Sequence, residues 1–238
     1  MVLYNKLSET AFASGAEYFG VADLTPAIDF IRKQGGDLPA SFPRAIAVGI
    51  VMPYGLTEPL ITHDQDNGAL MTYDRYVYQV CSPLIDQVTM KVARKVEKAG
   101  FRTMPVVASM KIPGKHFAGV FPHKLAAHLA GLGWIGKSCL LINPVDGPRV
   151  RWGTVLTNAP LNTGTVLDKN CGQCTECVKA CPANAITGRP FSPGDPRSER
   201  LDVEKCHDYR QKLLATNGTP SCGKCLAACP YGKPKNRQ

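Results

Sequence analysis

Four cysteines stand at positions 171, 174, 177 and 181, and Pro182 follows the last. The spacing C-x2-C-x2-C-x3-C-P is the ligand run of cubane [4Fe–4S] clusters. Two-residue gaps in a tight loop turn successive sulfurs to one side, so Cys171, Cys174 and Cys177 can converge on one cube. Cys181, after a gap of three residues, opens a short helix and faces a different cluster. A second half-run, Cys222-Gly-Lys-Cys225-Leu-Ala-Ala-Cys229-Pro230, repeats the ending, and Cys206 stands upstream. Crossing the two runs assigns Cys171, Cys174, Cys177 and Cys229 to one cubane and Cys181, Cys206, Cys222 and Cys225 to the other. Pairs of C-x2-C also read as zinc sites. Zinc needs neither the C-x3-C-P endings nor their crossing, so iron and sulfide are expected here. A disulfide framework suits a long chain without a secretory signal poorly.

A cubane carries one electron, and two in series form a wire. A wire attached to a further 160 or so residues, out of 238 in all, delivers electrons to something held by that larger part. The protein then supplies position and electrostatics while a cofactor does the hard reaction.

The elements that must position these groups can be read in outline. Residues 3–15 have helical spacing, and residues 18–24 read as a strand. Thr25-Pro26 reads as an N-cap with proline at the first helical position, opening a helix to about Gln34. Residues 45–52 are a continuous apolar run before Pro53, the pattern of a buried strand. Residues 54–70 are polar and read as a long loop carrying His63, Asp64 and Asp66. A long helix ends at Gly100, with Ile85, Val88, Val92 and Val96 as its apolar stripe. It starts at Ser82-Pro83, or Pro83 kinks a helix begun near Thr72. Residues 101–108 read as another strand, 125–130 as a short helix, and 139–142 as a strand paired with 150–157. Strand and helix alternate, which argues an α/β or α+β fold. Asn162-Thr163-Gly164 marks the boundary between an α/β cofactor or substrate domain (1–164) and a double-cluster, ferredoxin-like domain (165–238). Residues 188–198 read as a loop and 199–215 as a helix.

Charge is uneven along the chain. The formal net charge is +9, and two cubanes at about −2 each leave it near +5. No Asp or Glu occurs from Lys98 to Val145, a stretch that includes Arg102, Lys111, Lys115, Lys124 and Lys137. Such a run attracts anions, whether nucleic acid, an acidic redox partner or a phosphorylated cofactor. Within it, Gly131, Gly133 and Gly136 fit G-x-G-x-x-G, but the helix precedes and the strand follows, the reverse of a dinucleotide site. The glycines instead let the backbone approach a flat ligand closely. Cys81 and Cys139 read as buried apolar thiols. No apolar run is long enough to span a bilayer, and the N-terminus lacks a signal-peptide core, so a cytoplasmic protein without membrane attachment is expected, in a cell that keeps cubanes intact under anaerobic conditions.

The combination of His123-Lys124-x-Ala126-Ala127, Ala130-Gly131-Leu132-Gly133-Trp134-Ile135-Gly136-Lys137-x-x-Leu140-Leu141-Ile142, Arg149-Val150-Arg151 and Cys171-Gly172-x-Cys174 resembles the epoxyqueuosine reductase family, whose relatives include the reductive dehalogenases. The resemblance is strongest over residues 123–182. It implies a nitroreductase-like α/β cobalamin-binding domain fused to a two-[4Fe–4S] domain, an oxidoreductase in which electrons pass from the clusters to a corrinoid and on to a substrate. It implies that Gly133, Trp134, Ile135, Gly136, Lys137 and Ser138 line the corrinoid. The implied partners are an electron donor of ferredoxin or flavodoxin type and either a small-molecule or a tRNA substrate. The family carries an acidic proton donor shortly before the glycine loop, and no acid lies between Glu97 and Asp146 here. The family's C-terminal helical repeat is also absent from this sequence, so a short form is expected. A corrinoid-free electron-transfer protein that docks a redox partner is the alternative expectation.

Overall fold

The computed structural model describes residues 2–63, 66–110, 112 and 117–234. Asp64, Lys111 and Lys115 lie outside the described residues. In chain order the helices are α1 (Val2–Ala13), α2 (Ile28–Gly35), α3 (Asp37–Ala40), α4 (Tyr54–Thr57), α5 (Pro59–Thr62), α6 (Asn67–Arg75), α7 (Ser82–Lys98), α8 (His123–Leu129), α9 (Glu176–Lys179), α10 (Val203–Asn217) and α11 (Lys224–Ala227). The strands are β1 (Tyr18–Asp23), β2 (Arg44–Val51), β3 (Thr103–Val106), β4 (Trp134–Ile135), β5 (Leu141–Ile142) and β6 (Val150–Thr157). No helix among the described residues is long and apolar enough to cross a membrane.

The chain divides into two compact units. The first comprises Met1–Val51, Cys81–Gly133 and Arg151–Leu167, and the second Met52–Val80, Trp134–Val150 and Asp168–Gln238. The division is not one cut. Two upstream segments fold with the cysteine-rich segment, because that segment is poor in apolar side chains: from Asp168 onward the buried ones are Ala185, Ile186 and Leu226.

The first unit is built on a four-stranded sheet of order β1-β2-β6-β3. β1 and β2 run antiparallel with Tyr18 opposite Gly49, and β3 and β6 antiparallel with Thr103 opposite Thr157. The stripe foreseen on α7 packs as expected: Ile85, Val88, Val92 and Val96 are fully buried with Leu7, Val21, Ile46, Val48 and Val155 in one core. Tyr4 meets Phe19 edge-to-face at 5.2 Å. β6 is buried along nearly its whole length, so it lies in the middle of this sheet. It is therefore not the hairpin partner of residues 139–142; the short β5 pairs with β4 instead, Ile142 opposite Trp134.

Two further expectations are corrected. Residues 54–70 are not a loop, since α4, α5 and the start of α6 occupy them. Pro59 fills the first turn of α5, and the Asp66 carboxylate caps α6 by accepting from Gly68 N at 2.7 Å. Thr25 does not cap a helix with its side chain. Asp23 Oδ1 instead accepts from Thr25 N at 2.9 Å and Thr25 Oγ1 at 2.7 Å, and a 3₁₀ turn leads into α2. The helix that the sequence allowed to begin near Thr72 does continue into α7, through a π-helical turn over Tyr76–Cys81.

His123 opens α8 beneath the sheet. Val107 O can only accept, at 3.4 Å from Nε2, so Nε2 carries the proton and Nδ1 accepts from the Thr154 hydroxyl at 2.9 Å. Burial pulls its pKa from 6.5 down to about 4, against a smaller upward pull from the Val107 carbonyl and with a further downward one from Arg151. The imidazole is therefore neutral at pH 7.

Two outcomes are expected of this unit. A Cβ on Gly153 would lie 2.7 Å from Ile85 Cγ1 and 2.9 Å from Thr89 Cγ2, so Gly153→Ala should cost about 1–3 kcal/mol by overpacking. An unchanged denaturation midpoint would contradict that packing. Between pH 6.5 and 4 the unfolded chain binds a proton at His123 that the folded chain refuses, so this stability is full above 6.5 and lost on acidification. By pH 5 the loss should reach about 2 kcal/mol, visible as faster amide exchange in α8 and β6 relative to a His123→Gln chain; identical pH profiles in the two chains would refute it.

Candidate iron–sulfur site

The eight cysteines proposed as ligands all lie in the second unit, and they fall into two groups there. Cys171, Cys174, Cys177 and Cys229 line one cavity of about 30 Å³, together with Lys137, Ser138, Ile142, Pro230 and Tyr231. The thiols bear on one another in the same pattern. Burial pushes Cys229 up to about 11; a backbone hydrogen bond at Tyr231 opposes this, and Cys171, Cys177 and Cys174 add to it. Burial likewise pushes Cys225 up to about 12, and Cys222, Cys206 and Cys181 add to it. Cys222 is raised by burial first and also by Cys206 and Cys181, against Lys224. Cys206 is raised by burial, with Arg210 opposing and Cys181 adding. The grouping is the crossed one: the last cysteine of each run stands with the other run. Cys177 also acts on Cys225, so the two groups are neighbours.

Raised thiol values have a simple meaning. Four thiolates crowded into a partly dry space repel one another unless a polycation sits between them. The donor set is four soft sulfurs around a cavity, and this suits a cubane. Among the described residues, no three His, Cys, Asp or Glu side chains are grouped to hold a single metal ion.

Each group has its own wall from upstream chain. The first is covered by residues 136–138. A Cβ on Gly136 would lie 2.9 Å from Ile142 Cγ1 and 3.4 Å from Cys171 Sγ, so glycine is what allows this backbone to seat against the thiol. Lys137 is 7% exposed. Its Nζ donates to Gly172 O at 2.8 Å and to Cys174 O at 3.0 Å, within the cysteine loop itself. The wall of the second group comes from α5 and α6: Leu60 and Tyr73 close on Gly223, and the Ser221 hydroxyl bonds the Asp74 carboxylate. Arg149 fastens these segments together. It donates from Nη1 to Met52 O at 2.6 Å, from Nε to Gly232 O at 3.0 Å and from Nη2 to Asp146 Oδ1 at 3.0 Å.

The six residues of the glycine loop are thus placed as follows. Gly133 ends the first unit and its carbonyl accepts from His128 at 3.2 Å. Trp134 and Ile135 form β4, with Trp134 edge-on to Tyr231 at 4.9 Å. Gly136, Lys137 and Ser138 face the first thiol group. The sequence marked this loop as special but not its neighbour, because the sulfur it touches lies 35 residues further along the chain from Gly136 (Cys171). Lys137 and Arg149 were missed as structural cations; nothing local distinguishes them from surface bases. Cys81 and Cys139 are buried, as expected.

Residues 170–232 match the family described as a 4Fe-4S double cluster binding domain. In sequence the chain is 34% identical to the epoxyqueuosine reductase of Listeria monocytogenes over 108 residues, which is 45% of this chain and 28% of that enzyme. The chain therefore spans less than a third of that relative's length. In structure it is similar to the catabolic reductive dehalogenase NpRdhA, with a TM-score of 0.67 at 21% identity, over 96% of this chain and 31% of the other. It is also similar to an epoxyqueuosine reductase solved with a tRNA-Tyr epoxyqueuosine-modified stem loop, with a TM-score of 0.61 at 18% identity, over 100% of this chain and 67% of the other. The chain thus carries a two-[4Fe–4S] segment, is similar in sequence to epoxyqueuosine reductases over part of its length, and has the fold that those enzymes share with reductive dehalogenases.

Proposed function

We propose that this protein is an iron–sulfur reductase whose two clusters, on Cys171, Cys174, Cys177 and Cys229 and on Cys181, Cys206, Cys222 and Cys225, feed electrons to a corrinoid held by Gly133 to Ser138. The observation that carries the reading is the seat of Gly136, Lys137 and Ser138 against the first thiol group. Anything this loop holds is the next acceptor after that cluster. The residues present suit a corrinoid in one respect that can be checked: Trp134 Nε1 is buried and has no acceptor among the described residues. The rim of a corrin ring carries amide oxygens that accept such a donor. When bound, a corrinoid supplies two-electron reduction of a carbon centre, which cubanes alone do not.

The chain's own residues supply the rest. Lys137 and Arg149 hold the cluster loops in place through carbonyl oxygens. The stretch Lys98–Val145, free of acids, draws an anionic substrate; a tRNA, as in the solved relative, and a phosphorylated small molecule both meet that description. The electron donor is a small redox protein of ferredoxin or flavodoxin type. His123 is not the proton source, because its imidazole stays neutral down to about pH 4. The absence of any carboxyl group in that stretch favours the second reading, a corrinoid-free electron carrier that docks an acidic partner.

Two measurements bear on this. Cys174→Ala should lose about half of the iron and leave a single cubane signal, whereas Cys81→Ala and Cys139→Ala should keep all of it; an iron content that ignores Cys174 would break the ligand assignment. Anaerobically purified protein mixed with cobalamin should change the visible spectrum of the corrinoid at micromolar concentration and retain cobalt after desalting. Cobalt that washes out entirely would leave the electron-carrier reading standing.

A further inference from the structure

We infer that Lys137 is a fixed positive charge that raises the reduction potential of the cluster on Cys171, Cys174, Cys177 and Cys229. The inference rests on the two-cluster reading above and is independent of the corrinoid.

Lys137 is an unusual cation. It is 7% exposed, whereas lysines are almost never buried unless paired. No ion pair among the described residues includes it. Its two acceptors are neutral carbonyls, Gly172 O at 2.8 Å and Cys174 O at 3.0 Å. Both belong to the loop that carries Cys171 and Cys174, and Lys137 lines the cavity that the four thiols surround. A buried ammonium left without a carboxylate needs negative charge from elsewhere. A cubane held by four thiolates supplies it, with about −2 in the oxidised form and one more on reduction.

The sign follows from Coulomb's law. The reduced cluster is the more negative, so a nearby cation favours it and the potential rises. Burial keeps the interaction from being screened by water and salt. The second group has cations too, Arg210 and Lys224, but both residues are partly exposed, where charges act more weakly. The two carbonyl bonds hold the ammonium in one place beside the loop that carries Cys171 and Cys174. Lys137 is a positioning and tuning residue, one that never touches a substrate.

The test is an anaerobic redox titration of the whole chain with both clusters in place, followed by EPR. Lys137→Gln should keep full iron and lower the midpoint of one cluster by at least a tenfold change in its one-electron equilibrium, about 59 mV, leaving the other cluster in place. Lys137→Arg keeps the charge and should return the midpoint most of the way to wild type. The inference is overturned if Lys137→Gln with full iron has unchanged midpoints, or if Lys137→Arg moves the midpoint as far as Lys137→Gln does. Loss of one cluster in both variants also overturns it, since Lys137 is then a clamp and no more. A wild-type chain without two cubane signals defeats the two-cluster reading instead, which separates the two failures.

Discussion

Sulfur crowding is the constraint from which the second unit is built. Eight thiols lie between Cys171 and Cys229, and the segment that carries them buries few apolar side chains of its own. Thiolates that close repel, and a polycationic cluster between them relieves it. A segment with so few buried apolar side chains also needs a wall, and the wall comes from upstream. Ile142 and the Gly136–Ser138 backbone close on the first group, while Leu60 and Tyr73 close on the loop of the second. The interleaved chain path follows from this need. A ferredoxin-like segment that stood alone would leave those faces open.

The fastenings are cationic, and their acceptors are mostly neutral. Lys137 bonds two carbonyls, and Arg149 bonds two carbonyls and one carboxylate, Asp146. A carboxylate placed beside a cubane of charge about −2 would repel it and lower its potential. A backbone carbonyl offers the same geometric hold without a full negative charge. Lys137 therefore has two partners, the peptide groups that fix its position and, on the inference above, the cluster beside it, whereas Arg149 is balanced by Asp146.

The cysteine pattern was legible because metal chemistry fixes both residue type and spacing, and burial or propensity cannot override it. The sheet strand β2 and helix α7 were legible for a different reason: a continuous apolar run and a stripe at 85, 88, 92 and 96 each point to one solution. Residues 54–70 misled because α4 and α5 are a single turn each, although Pro59 and Asp66 carry start signals that reward a closer look. The pairing of β6 could not be read locally. Its residues suit a hairpin with 139–142 and a central strand equally well, and the choice is made by the tertiary core around Val155. The glycine loop shows the same limit, since Gly136 announces a close approach while the identity of the approaching atom, Cys171 Sγ, depends on the whole fold.

If the chain is a reductase, electrons are the well-provided half of its reaction, and protons are the other half. His123 has both ring nitrogens engaged, by Thr154 and Val107, and burial keeps it neutral. The sequence from Lys98 to Val145 contains no carboxyl group. The same absence has an electrostatic consequence: it leaves that stretch uniformly basic, and so able to draw an anion that a nearby carboxylate would turn away. Attracting an anion and donating a proton thus place opposite demands on one stretch of chain, and its composition favours attraction. A reductase built this way must take its proton from the substrate itself, from water or from a residue elsewhere, and an electron carrier needs none, so the origin of the proton is the chemical question that separates the two readings.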